Sequence, residues 1–136
     1  MRTAFYNMLV VAAILQHFAG FAQQTSANSI EGIWRGTSLC QVKPSACHDE
    51  NVVYHISKTS ANLYTIQANK IVNGAEEDMG TFDAVYDTTR QTLRSTTKDK
   101  QGRSDVWLFK LDGMQMHGTL TINENTLFRI VELKKS

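Results

Sequence analysis

From residue 30 onward, apolar and polar positions alternate in short runs, with turn-forming residues every ten to fifteen positions. Residues 30–40 make the first run, 52–57 the second and 63–72 the third, which closes at Asn73-Gly74, a strong two-residue hairpin signal. Residues 82–87 (FDAVYD) carry the cleanest alternation and form the fourth run. The remaining runs cover residues 91–97, 105–111, 114–122 and 126–133, separated by Gly102, by Asp112-Gly113 and by Asn123-Glu124-Asn125. No segment keeps a 3.6-residue period over three turns, so the pattern predicts strands and no long helix. The acidic stretch Glu76-Glu77-Asp78 is expected as a solvated loop or a single helical turn. Eight short strands joined by tight turns describe an antiparallel meander. It can fold into two stacked sheets or close into an up-and-down β-barrel, and closure removes the unpaired edges. The barrel is the predicted fold, over residues 30–136.

The two-residue period also sorts the faces. If Trp34 points inward, so do Gly32, Gly36, Ser38 and Cys40, and these small residues leave room for a cavity. Val52, Tyr54 and Ile56 form the inward set of the second strand, Tyr64, Ile66 and Ala68 that of the third, and Phe82, Ala84 and Tyr86 that of the fourth. The sixth and eighth strands are apolar on both sides, which leaves their inward faces open. Their outer faces could serve a partner protein or a dimer, or be ordinary exposed apolar surface.

Residues 1–22 change the picture of compartment. Arg2, an apolar run over residues 8–15, and small residues at Gly20 and Ala22 match a secretory signal peptide cut after Ala22. The run is too short to cross a bilayer. A polar leader, residues 23–29, then precedes the barrel, and the mature chain is expected to be secreted or periplasmic, without a transmembrane span. The whole sequence holds 14 Lys and Arg against 13 Asp and Glu, and cleavage would remove one of the bases. That balance, without a basic block, argues against nucleic-acid binding.

In an oxidising compartment Cys40 and Cys47 are expected to pair as a disulfide. The competing readings are two free thiols, or a metal held by both cysteines with His48 and Asp49 or Glu50, although that spacing matches no standard zinc pattern. No nucleophile elbow, glycine-rich phosphate loop or H-E-x-x-H string occurs. The run His48-Asp49-Glu50 could supply an acid–base pair, but an extended backbone splits it across two faces, and a solvated rim loop is the plainer reading. No enzyme activity, cofactor or metal is expected.

Gly32-Ile33-Trp34 at the head of the first strand resembles the G-x-W signature of the calycin group, which includes lipocalins, fatty-acid-binding proteins and avidins. The stretch from Trp34 through Cys40 and Cys47-His48-Asp49-Glu50 to Tyr54 also resembles small exported lipocalin-like proteins of Gram-negative bacteria with no assigned biochemistry. The calycin resemblance implies that Trp34 plugs one end of the barrel and that Arg129, on the last strand, lies across it in a cation–π contact. Gly32, Trp34 and Arg129 are therefore the expected structural set. The expected function is binding of a small, mostly apolar molecule, for sequestration or carriage, by Trp34, Tyr54, Tyr64, Phe82 and Tyr86. Core packing is the alternative role for each of these aromatics. A filled barrel that grips another protein through its outer strands or the 40–50 loop is the alternative function.

Overall fold

The alternation becomes eight antiparallel strands: β1 (Gly32–Cys40), β2 (Glu50–Ser60), β3 (Leu63–Val72), β4 (Ala75–Asp87), β5 (Thr92–Lys98), β6 (Ser104–Asp112), β7 (Gln115–Ile122) and β8 (Thr126–Lys135). Each pairs with its neighbour in sequence, and β8 pairs back on β1, so the sheet is a closed up-and-down barrel. The computed structural model describes residues 29–43 and 46–136. The expected signal peptide, residues 1–22, and all of the polar leader except Ser29 lie outside the described residues.

One element departs from the sequence reading. Residues 76–78 are the first part of β4, neither a loop nor a helical turn. At Asn73 and Gly74 φ is +51° and +80°, the left-handed conformation that a two-residue hairpin turn requires. The chain therefore reverses at once, and Glu76, Glu77 and Asp78 pair with Ile71, Lys70 and Asn69. Side-chain partners take up the charges of the two glutamates. Lys70 lies 3.2 Å from Glu77, and Glu76 accepts hydrogen bonds from His55 (2.6 Å) and Asn69 (2.7 Å). The bond from His55, then that from Asn69, holds the Glu76 carboxyl below the usual carboxylate range.

Antiparallel pairing brings the N-termini of the odd strands and the C-termini of the even strands to one end, and large side chains occupy that end. Trp34, Tyr64, Leu93, Leu111, Met116 and Leu133 fill it as part of one buried cluster. Trp34 is fully buried, and its indole N–H donates to the Ile30 carbonyl at 2.9 Å, which folds the entering chain over the barrel end. The faces left open at the sixth and eighth strands resolve as Trp107, Phe109 and Leu111 inward on β6, and Arg129, Val131 and Leu133 inward on β8.

The expected Trp34–Arg129 contact does not form. In the β1–β8 register Trp34 is opposite Lys135, whereas Arg129 is opposite Cys40, six residues further along β1. At about 3.3 Å per residue the two lie some 20 Å apart along the barrel. Lys135 takes the place assigned to Arg129: its Nζ is 5.8 Å from the centre of the Trp34 ring and donates to the Ser29 carbonyl. Gly32 belongs to this end, because its φ of +134° suits glycine and a Cβ there would meet Lys135 Cε at 2.9 Å.

Cys40 and Cys47 form a disulfide, with Cα atoms 5.8 Å apart, at the opposite rim. A loop this short contributes about 2–3 kcal/mol by restricting the unfolded chain. Reduction is therefore expected to lower the unfolding free energy measured in urea by that amount, and with it the midpoint, and the denatured oxidised protein is expected to weigh about 2 Da less than the reduced one. An unchanged midpoint on reduction would mean that the loop is held by its other contacts alone.

Candidate functional site

The open end of the barrel is where the cavity sits, because the inward residues there are small or polar. Ser38 on β1, Ala68 on β3 and Gly80 on β4 leave a space of about 310 Å³, walled by Tyr54, Met79, Phe82 and Trp107 and bounded by Glu50 and Arg129. A β-bulge between Ala68 and Asn69 takes Met79 out of the β3–β4 pairing, at the mouth of the cavity. The cavity has room for about ten water volumes, near the lower size limit for small-molecule sites.

Three aromatic rings form the apolar side. Phe82, Trp107 and Phe109 lie within 12° of parallel, with centroids 5.4–6.4 Å apart, and Tyr54 meets Phe109 edge-on at 6.1 Å. Such offset geometry is the favoured one for aromatic contacts. Phe109 is fully buried beneath the other two, which are only partly buried and border the cavity.

Arg129 forms the polar side, and its geometry is asymmetric. Nη1 donates to Ser38 Oγ (3.1 Å), the Ser38 carbonyl (3.4 Å) and the His48 carbonyl (3.1 Å), and lies 3.5 Å from Glu50 Oε2. Among the described residues, Nη2 and Nε have no acceptor. The guanidinium is thus anchored through one nitrogen, with donors to spare. Tyr54 is 1% exposed and borders the same space, and its hydroxyl makes no hydrogen bond among the described residues. Burial pushes its ionisation well above the ordinary tyrosine range, with Arg129 opposing and Glu50 adding, so the hydroxyl stays protonated.

The five expected ligand-binding aromatics are divided by this arrangement. Tyr54 and Phe82 border the cavity. Trp34 and Tyr64 are in the packed core with Tyr86 against it, and Tyr64 and Tyr86 meet edge-on at 6.2 Å. The structure places these three away from the cavity, nearer the N-termini of the odd strands or the C-termini of the even strands, where large residues from every strand converge. Trp107 and Arg129 also border the cavity, where the sequence pattern does not place them. Trp107 was hidden because β6 is apolar on both faces, and Arg129 because the motif analogy assigned it to the far end.

His48, Asp49 and Glu50 do not act as a unit. Asp49 Oδ1 accepts from the Cys40 backbone N–H at 2.8 Å, the His48 carbonyl serves Arg129, and only Glu50 turns its side chain to the cavity. A larger concavity, about 690 Å³, lies outside the barrel where β4 and β5 share only three residue pairs. Its lining sets Leu63, Val85 and Leu108 among Asp83, Asp87, Arg90 and Arg94, so it carries no single sign of charge.

No protein-family model matches the chain, and no curated protein matches it. Among solved structures, a point mutant of the fluorescent protein UnaG is similar, with a TM-score of 0.54 over 79% of this chain and 96% of that one, at 12% sequence identity. At that identity the likeness is one of fold, a calycin-like β-barrel.

Proposed function

We propose that this protein is an exported, non-enzymatic barrel that sequesters or carries one small, flat, mostly apolar molecule in the open half of its interior. The observation that carries the reading is the division of the barrel. One half is filled by large core side chains, with a smaller concavity of about 220 Å³ beside Ile30, Tyr86 and Leu111, while the other keeps a cavity of about 310 Å³ between partly exposed aromatic rings and an incompletely satisfied arginine. The Tyr54 hydroxyl and the spare Arg129 donors border this space, so a bound molecule can satisfy them. Apolar contact with Phe82 and Trp107 supplies affinity, and the polar groups fix orientation. The disulfide at the rim supports an oxidising compartment.

The test uses N-phenyl-1-naphthylamine, a neutral dye that brightens in apolar surroundings. It is expected to bind with a Kd on the order of 10 μM, as ligand efficiencies for molecules of this size allow. Its emission should rise and that of Trp107 fall. Phe82→Ala and Trp107→Ala should each weaken binding by about tenfold, while Tyr64→Phe, in the packed half, leaves it unchanged. A dye that ignores the protein, or that binds the Phe82→Ala, Trp107→Ala double variant as well as the parent, would overturn the reading.

A further inference from the structure

From the polar end of the cavity we infer that Glu50 is a charge-selectivity residue and that the ligand carries a neutral group with adjacent acceptor and donor, a carboxamide, lactam or urea, rather than a carboxylate. The inference rests on the reading of this cavity as a ligand site. An arginine beside an aromatic cavity would ordinarily select an acid, since guanidinium and carboxylate pair bidentately. Here that charge is already matched. Glu50 Oε2 lies 3.5 Å from Arg129 Nη1, both side chains border the same space, and both are mostly buried. The cavity therefore offers no net charge, and an incoming anion would gain Arg129 only while facing the Glu50 carboxylate in a poorly screened site.

The hydrogen-bonding inventory points the same way. Arg129 Nη2 and Nε can donate and have no acceptor among the described residues. Glu50 is on the cavity with a carboxylate that only accepts. Tyr54 can do either, and its hydroxyl makes no hydrogen bond among the described residues on a side chain that borders the same space. A carboxylate satisfies the donors and leaves Glu50 facing a like charge. An amine satisfies Glu50 and repels Arg129. A carbonyl flanked by N–H answers both, with its oxygen on Arg129 and its nitrogen toward Glu50. Glu50 thus acts by rejecting the wrong charge as much as by attracting the right group.

The test is a matched pair, 2-naphthamide and 2-naphthoate, alike in shape and different in charge at pH 7, measured by displacement of N-phenyl-1-naphthylamine from the purified protein. The parent protein should bind the amide at least about tenfold more tightly than the acid. Glu50→Gln, which removes the charge and keeps the shape, should raise the affinity for the acid by at least about tenfold and erase or reverse the preference. Glu50→Asp keeps the charge and should keep the preference for the amide. Equal binding of amide and acid by the parent would overturn the inference with no variant needed, and so would a ratio that Glu50→Gln leaves unchanged. In both of those cases the cavity remains a ligand site. If neither naphthalene compound nor the dye binds the parent, the ligand-site reading falls and this inference falls with it.

Discussion

Gly36→Ala is expected to be the most damaging single-methyl change in the barrel, costing about 3 kcal/mol or more, or preventing folding outright. Gly36 is opposite Leu133 across the seam that joins β1 to β8. A Cβ built on it would stand 1.8 Å from the Glu132 carbonyl oxygen, 2.8 Å from the Glu132 carbonyl carbon and 3.1 Å from the Leu133 Cα. All three are backbone atoms, so no rotamer change relieves the contact and the two strands must part. Overpacking a core costs about 1–3 kcal/mol where side chains can move, and more where they cannot. Parting this seam also opens the barrel and exposes two strand edges, against a total stability of only about 5–15 kcal/mol. Urea unfolding followed by far-ultraviolet circular dichroism would measure the loss. A variant within about 0.5 kcal/mol of the parent would show that β1 and β8 do not approach as closely as the register implies.

The second large effect is expected where the packed half meets the cavity. Phe109 and Gly118 form a cross-strand pair, and the phenyl ring lies over the bare glycine. A Cβ at residue 118 would stand 2.4 Å from Phe109 Cδ1 and 2.6 Å from Cε1. The ring has nowhere to retreat, with Tyr54 at its edge and Phe82 and Trp107 alongside. Gly118→Ala should cost about 2–3 kcal/mol, and Phe109→Ala about 3–5 kcal/mol through the void it leaves. The double variant should be more stable than the sum of the two losses by more than about 1 kcal/mol, because removing the ring removes the obstruction. Gly118→Ala should also weaken dye binding by pressing Phe109 toward Phe82 and Trp107, whereas Phe109→Ala should admit larger aromatics. Strictly additive losses would mean that the ring moves aside freely, contrary to its full burial.

Much of the fold was legible because its signals are local. Alternation over five to ten residues marks a half-buried strand, and Asn73-Gly74 or Asp112-Gly113 marks a turn whatever the rest of the chain does. Seven of the eight strands therefore lie close to the apolar runs that predict them. The exception, the start of β4, shows the limit. Glu76, Glu77 and Asp78 have poor strand propensity, and they are strand because Asn73-Gly74 aims them at β3 and because His55, Asn69 and Lys70 await their charges. Propensity was overridden by cross-strand partners that lie up to 21 residues away.

The site was legible in half. Tyr54 and Phe82 follow from the period of two, as does the room left by Ser38. Trp107 and Arg129 do not. Choosing the inward face of β6 requires knowing that Phe109 opposes Gly118 and that Leu111 reaches the packed end, which is information from other strands.

Read locally, the chain is already a meander of eight strands, with a row of small residues following Trp34 on one face of the first and two cysteines near enough to pair. Those properties depend on neighbours a few residues apart. Which end is filled, that Lys135 and not Arg129 covers Trp34, and that Glu50 sits against Arg129 beside the cavity follow from the folded barrel alone. These outcomes depend on the register between β8 and β1, nearly a hundred residues apart in the chain. A closed barrel sets that register through the summed volume of all its inward side chains, a quantity that no single segment carries.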